Sequence, residues 1–279
     1  MFTFAVNLLL NHLIMKNILV PVGSSKNAVS HIQYAIDFAK AFGAKLYVVQ
    51  IYNVYTKAGT MINVDQILEQ ESQAYLNGVM TEVDTKNVEV ITKTIKGKLI
   101  DTLELVSKAA NIDLILVEPR TNSVKDEVYL GKTSGKIIKQ MDVPAVLIVP
   151  EGYKFKPAKH ILMAVKSAII RKEGVLNPLK IIKEKFKAKV DLLLVKTPYH
   201  NDGDFDINKE LSNLITQATQ TENATTFQGV LRHYESYNPD MLCVVRRKRG
   251  FFTKKWEKNT ILKKDFSSSI PVLVLSGMK

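Results

Sequence analysis

The chain has little of what cross-links, ligates metal or spans a membrane. Its one cysteine, Cys243, sits inside the apolar run 241–245, where a lone thiol cannot close an internal disulfide and reads as a small core residue. Without a disulfide framework, a reducing cytoplasm is the expected compartment. The five histidines, His12, His31, His160, His200 and His233, lack ligand spacing, so no metal site is expected, and His31 reads as a surface residue of a helix. No G-x-S-x-G elbow and no cysteine cluster occurs, so no catalytic residue is assigned and no enzymatic site is expected. Asp202-Gly-Asp-Phe-Asp206 opens like a calcium loop but lacks its later positions, and reads as a polar turn ahead of a helix. No apolar run approaches the length of a membrane helix. The apolar residues 1–14 are too short to span a bilayer and lack the positive flank and cleavage site of a secretory signal. Because Met15 directly precedes the first strand, translation is expected to begin there, leaving 1–14 a spurious or disordered extension.

What the chain does have is a pattern stated twice. Asn17-Ile-Leu-Val-Pro-Val-Gly-Ser-Ser25 returns as His160-Ile-Leu-Met-Ala-Val-Lys-Ser-Ala168. Each half closes on a proline-led strand, Pro144-Ala-Val-Leu-Ile-Val149 and Pro271-Val-Leu-Val-Leu275. Asp113 and Asp240 open similar apolar runs and stand 127 apart, as do Pro144 and Pro271, whereas Lys16 and Lys159 stand 143 apart. The second half is therefore shorter, and the loss falls in its middle. A length of 279 residues suits two domains with a core each. Their expected bounds are 15–150 and 158–279, joined by a linker at 151–157.

Strands are expected near 17–22, 45–51, 88–93, 113–117 and 145–149. Helices are expected over 28–42, 67–83, 99–109 and 133–141. Such alternation gives a parallel sheet covered by helices, and the near-continuous apolar strands fit burial on both sides. In the second half the expectation is strands near 161–165, 190–195, 224–228, 241–245 and 272–275. Helices are expected near 173–187, 206–220, 230–237 and from about 259. Both closing strands would be apolar sheet edges, a hazard removed by pairing them with each other or with another chain. The halves are thus expected to join through 145–149 and 272–275 as an internal pseudo-dimer, with a homodimer also open.

The net charge is +12. Much of the excess lies in Arg246-Arg-Lys-Arg249, Lys254-Lys255, Lys258 and Lys263-Lys264, with Phe251, Phe252 and Trp256 interleaved, a composition able to hold phosphates and stack bases. No nucleic-acid motif accompanies it, so a solvated loop is expected rather than nucleic-acid binding. Binding of a phosphate-rich or acidic partner through 246–264 is kept as an alternative.

The first strand with its Gly23-Ser-Ser25 turn, Asp113-Leu-Ile-Leu-Val117, and Gly131-Lys-Thr-Ser-Gly-Lys-Ile-Ile-Lys139 running into Val143-Pro-Ala-Val-Leu-Ile-Val149 resemble a universal stress protein domain. The second half resembles a fainter copy, as in tandem members similar to those of Bacteroidetes. The resemblance implies an α/β fold: two doubly wound five-stranded parallel sheets of order 3-2-1-4-5, adenine nucleotide alpha hydrolase-like, with ligands held beyond the first and fourth strands. It also implies a stress-response role. Nucleotide-binding members of the family carry an aspartate after the first strand and G-x2-G-x9-G-[S/T] after the fourth, glycines letting amides approach phosphates. Here the aspartate position is Gly23 in the first half and Lys166 in the second. The earlier glycines fall near Pro119 and Asn122, and only Gly131 survives, followed by Lys132. The second half has Arg246, Arg249, Lys258 and Asn259 at the matching places. Gly131-Lys132-Thr133 also mimics the end of a P-loop, but Asp126 stands where that motif needs glycine. The expectation is a binding or interaction module whose nucleotide site has degenerated. Its alternative is weak ATP or AMP binding, with slow hydrolysis, around Gly23, Gly131, Lys132, Thr133 and Ser134.

Overall fold

The computed structural model describes residues 14–53, 64–119, 132–141, 145–246 and 269–277. Ten strands among them form one sheet. In the first half, β1 (Asn17–Val22), β2 (Lys45–Tyr52), β3 (Val90–Lys96), β4 (Leu114–Val117) and β5 (Ala145–Ile148) alternate with α1 (Ala28–Phe42), α2 (Val64–Thr81), α3 (Leu99–Ala109) and α4 (Lys132–Gln140). The second half runs β6 (His160–Val165), α5 (Asn177–Phe186), β7 (Lys189–Lys196), α6 (Lys209–Leu214), β8 (Gln217–Glu222), α7 (Thr226–Tyr237), β9 (Met241–Arg246) and β10 (Val272–Ser276).

The sheet order is β3-β2-β1-β4-β5-β10-β9-β6-β7-β8. Each half therefore shows the expected 3-2-1-4-5 winding, and the α/β class holds throughout. All neighbours are parallel except β5 and β10, which pair antiparallel with Leu147 opposite Leu273 and Ala145 opposite Leu275. The two closing strands are thus the middle of the sheet, and their apolar edges are satisfied by each other.

Side chains alternate across each strand, so the two sheet faces collect two cores. One gathers Ile18, Val20, Leu46, Ile161, Met163 and Leu192 under α1, α2, α5 and α6. The other gathers Leu19, Ile115, Leu162, Leu193 and Val272 under α3, α4 and α7. Both draw on both halves. α1 shows why these helices form: Ile32, Ala35, Ile36 and Ala39 fall on one buried face, and Gly43, at φ +66°, ends the helix while the Ala44 amide donates back to the Ala39 carbonyl at 3.0 Å. His31 on this helix is 7 % exposed, so the surface reading is corrected: the residue is buried. Cys243 is fully buried, and burial pushes its thiol far above the ordinary value.

Two expectations in the second half are also corrected. The helix near 206–220 stops at Leu214, and 217–222 is strand β8. The strand near 224–228 is the start of α7, where Thr225 caps by accepting the Gln228 amide at 3.1 Å. β8, Gln-Ala-Thr-Gln-Thr-Glu, pairs only with β7 and is an outer edge of the sheet. An edge strand can be polar on both faces, so it carries no apolar signal. The shortening is local too: α2 has 18 residues and its counterpart α6 has 6.

The extension 1–13, residues 54–63, Gly131 and most of the basic loop (247–268) lie outside the described residues. Among the described residues, no helix is long and apolar enough to cross a membrane.

Candidate functional site

In a sheet wound this way, the crevice for a ligand opens beyond the carboxyl ends of β1 and β4, where the strand order reverses. The β1–α1 loop, the residues after β4, and the start of α4 build it. Gly23, at the position of the family's aspartate, offers no side chain. Its carbonyl contacts the Tyr75 hydroxyl of α2 at 3.1 Å. The same hydroxyl lies 3.2 Å from the Ser25 carbonyl and accepts the Ser25 amide at 3.2 Å. An amide that could face a ligand is thereby used internally.

Glu118 follows β4 directly. Its carboxylate accepts the Ser25 hydroxyl at 3.2 Å, bridging the two strand ends. Its carbonyl accepts the Ser134 hydroxyl at 2.9 Å. Ser134 is fully buried, so it ties the first turn of α4 to the end of β4 and is not free to bind an anion. Pro119 comes next, at the position of the first family glycine, and has no amide to donate. Lys132 and Thr133 open α4, but their side chains, like all of Gly131, lie outside the described residues. Of the residues picked out from the sequence, the structure therefore brings together Gly23 and Ser134, through Ser25 and Glu118. The Glu118 carboxylate thereby stands across the ends of β1 and β4, at the mouth of this crevice.

The equivalent crevice of the second half is filled differently. Lys166 stands at the aspartate position, and the next turn is covered by the loop after β7. The Ala168 amide donates to the Asp204 carbonyl at 2.5 Å. Burial pushes the Asp204 carboxyl up, but hydrogen bonds from the Asn201 amide, Ser167 and the Asn201 side chain outweigh it and hold it below the ordinary carboxylate value. Asp202 to Asp206 is thus the expected polar turn ahead of a helix, folded back on Asn201. Arg246, the last residue of β9 and at the first-glycine position, donates to the Met141 carbonyl at 2.8 Å and the Lys139 carbonyl at 2.6 Å. It thereby caps the C-terminus of α4 in the other half, where a cation meets the negative end of the helix. Arg246 is removed from the free basic loop imagined from the sequence.

Sequence reasoning missed Glu118 and Tyr75. Glu118 adjoins Pro119, so counting back to the glycine pattern reached within one residue of it. Tyr75 carried no signal, since a tyrosine in an amphipathic helix reads as core.

Comparison with known proteins matches the first half of the chain to a family. The family model described as "Universal stress protein family" matches residues 15–150. A universal stress protein of Methanocaldococcus jannaschii is 21 % identical over 138 residues, covering 48 % of this chain and 81 % of the relative. The crystal structure of a universal stress protein from Archaeoglobus fulgidus superposes with TM-score 0.68 at 18 % identity, covering 95 % of this chain and 98 % of the other. A functionally unknown protein from Pseudomonas aeruginosa superposes with TM-score 0.58 at 14 % identity over 94 % and 92 % of the two chains. At these identities the superpositions speak for the fold alone, and they extend it over both halves.

Proposed function

Starting from a chain that belongs to the universal stress protein family through residues 15–150, we propose that it is a non-enzymatic stress-response binding or interaction module of the cytoplasm. In this reading it consists of two tandem domains, 15–150 and 158–279, joined by 151–157, and neither domain retains a working nucleotide site. The observation that carries the reading is the Glu118 carboxylate bonded to Ser25 across the ends of β1 and β4. A triphosphate there would face a fixed negative charge, and the surrounding Ser25 amide and Ser134 hydroxyl are already committed. In the second half the Asp204 loop and the inter-half role of Arg246 occupy the matching ground.

Calorimetric titration with ATP and with AMP tests it. The expected result is no saturable heat up to about 1 mM, since a Kd above that corresponds to less than about 4 kcal/mol of binding free energy. Micromolar, saturable binding of either nucleotide would overturn the reading in favour of a working site around Gly23, Gly131, Lys132, Thr133 and Ser134. With its apolar central edges paired internally, the protein has an unknown partner that meets a helix face, the outer edges β3 and β8, or the basic segment 247–264. Binding through that segment should weaken steeply with salt and be abolished by Arg247→Ala, Lys248→Ala and Arg249→Ala, leaving Arg246 in place.

A further inference from the structure

The positive charge of the chain is not shared between its halves. Residues 15–150 carry 15 Lys and Arg against 14 Asp and Glu, whereas residues 151–200 carry 12 against 4. Much of that excess comes together at the amino ends of β6 and β7, where the segment 151–157 meets the turn after α5. The Lys189 amide donates to the Lys159 carbonyl at 2.8 Å, Lys159 Nζ donates to the Phe186 carbonyl at 3.0 Å, and the rings of Phe155 and Phe186 stand 6.1 Å apart. Lys154, Lys156, Lys159, Lys185, Lys187 and Lys189 are all exposed around this junction. Asp240 holds Lys156 at 2.8 Å and Asp191 holds Lys189 at 2.9 Å. The side chains of Lys154, Lys185 and Lys187 have no hydrogen-bond or ion-pair partner among the described residues, and Lys159 meets a carbonyl, not a carboxylate. Glu184 is the one acid on α5, so the junction keeps an excess of positive charge.

The first half is an internal control. Its helix α1 ends Ala41-Phe42-Gly43 where α5 ends Lys185-Phe186-Lys187. By strand register Lys45 stands where Lys189 stands, and Glu89 pairs with it at 2.9 Å. Gly43 takes φ +66° freely, but Lys187 takes φ +52° at the same cap, a left-handed conformation that a Cβ makes unfavourable. The helix dipole favours a lysine near the end of α5, but not at the one position where the backbone asks for glycine, and it has no bearing on Lys154. A strained residue whose side chain makes no bond within the molecule points to a role outside it.

What the rim lacks selects among anionic occupants. None of the six cations is an arginine, the residue whose fork matches phosphate. The rings of Phe155 and Phe186 are packed on Phe38 and are not free to stack on bases. No exposed large apolar side chain lies in 151–189 to enter a bilayer. Separate ammonium groups on flexible stems suit separate carboxylates, as the rim's own pairs with Asp240 and Asp191 show. We propose that the basic rim of 154–159 and 185–189 docks an acidic segment, rich in Asp and Glu, of a partner protein. This rests on the interaction-module reading and gives that module a surface and a partner chemistry.

Fluorescence anisotropy of a labelled deca-glutamate peptide with the full chain tests it, with a thymidylate oligomer of equal charge and phosphatidylserine vesicles as comparisons. The expected result is saturable binding of deca-glutamate that weakens as salt is raised. Affinity should fall about threefold in Lys187→Gly, and at least about tenfold when Lys154→Ala and Lys185→Ala are added. Lys187→Gly should at the same time raise the melting temperature by about 2 °C as the strain is relieved, so its weaker binding is not the result of misfolding. Arg247→Ala, Lys248→Ala and Arg249→Ala together should leave the affinity within about twofold. Loss of binding in that variant and not in the rim variants would overturn the proposal while leaving the interaction-module reading standing, since the nucleotide titrations test that reading separately. No saturable binding up to about 1 mM peptide, a melting temperature lowered by Lys187→Gly, or tighter rim-dependent binding of the thymidylate or the vesicles would each overturn it.

Discussion

Asp113 and Asp240 stand at the entrances of β4 and β9 and fasten the first strand of each half in the same way. Asp113 accepts the Lys16 and Asn17 amides at 2.7 and 2.9 Å and returns its own amide to the Asn17 carbonyl at 2.9 Å. Asp240 accepts the Lys159 and His160 amides at 2.9 and 3.1 Å and donates to the His160 carbonyl at 2.8 Å. Charge-assisted bonds to backbone amides are the stronger kind, so Asp113→Ala and Asp240→Ala should each lower stability by about 2 kcal/mol in denaturant unfolding. A change under about 0.5 kcal/mol would mean the amides are satisfied by water instead. Asp240 adds a pH dependence. Burial pushes its carboxyl up, but the bonds from Lys156 and from the Lys159 and His160 amides outweigh burial and hold it below the ordinary value. A carboxylate lowered on folding stabilises the native state above its unfolded pKa, and that contribution is lost as pH falls through the folded one. Asp240→Asn should therefore flatten the acid limb of the stability curve below about pH 4. Asp204, also lowered, leaves part of the slope in place. An acid limb identical to that of the parent protein would remove Asp240 from the account.

Two glycines in helices separate packing from propensity. A Cβ on Gly229 of α7 would lie 2.7 and 3.0 Å from the Val195 methyls, and both belong to a stiff β-branched side chain on the strand beneath. Gly229→Ala should cost about 1 to 3 kcal/mol through forced displacement of helix from sheet. A Cβ on Gly78 of α2 would meet nothing within 4 Å, so Gly78→Ala should stabilise by about 0.5 to 1 kcal/mol through lower unfolded-state entropy. Paired thermal melts check both, and the same sign in the two variants would contradict the packing. Elements also differ in how legible they were from the sequence. α1 and α3 were readable to the residue because their buried faces repeat at three and four and Gly43 marks a stop. β8 was not, because Gln217 to Glu222 borders solvent and nothing requires it to be apolar. α6 misled for the same reason, its helical pattern running past Leu214 into residues whose partner, β7, is distant in sequence. The site was the least legible part. The missing glycines could be counted, but Glu118, Tyr75 and the engagement of Arg246 are tertiary contacts between segments 52 to 107 residues apart.

At the scale of the molecule, the question is whether the two halves behave as one body. Strands β5 and β10 pair over four residues, and both cores take residues from each half. An aromatic cluster crosses the junction: Phe38 and Phe42 of α1 contact Phe186 of α5 at ring distances of 6.4 and 5.2 Å, and Phe155 lies 6.0 Å from Phe38 and 6.1 Å from Phe186. Burial, and then the neighbouring Tyr153, push the hydroxyl of Tyr34 in this cluster far above its ordinary value, as expected where water is excluded. Arg246 adds two bonds from β9 to the end of α4. Splitting the halves would expose the β5 and β10 edges and both cores at once, so partial unfolding exposes nearly as much apolar surface as it saves. The protein should unfold in a single calorimetric transition, with calorimetric and van't Hoff enthalpies equal. Arg246→Ala should shift that transition downward by about 1 to 3 kcal/mol, the range for bonds to a charged group, without splitting it. Arg246→Lys should restore only part of the loss, since an ammonium cannot reach two carbonyls with the fixed fork of a guanidinium. Two resolved transitions in the parent protein would show instead that the halves are separate folding units held together by a strand pair, and the aromatic junction would then contribute little to stability.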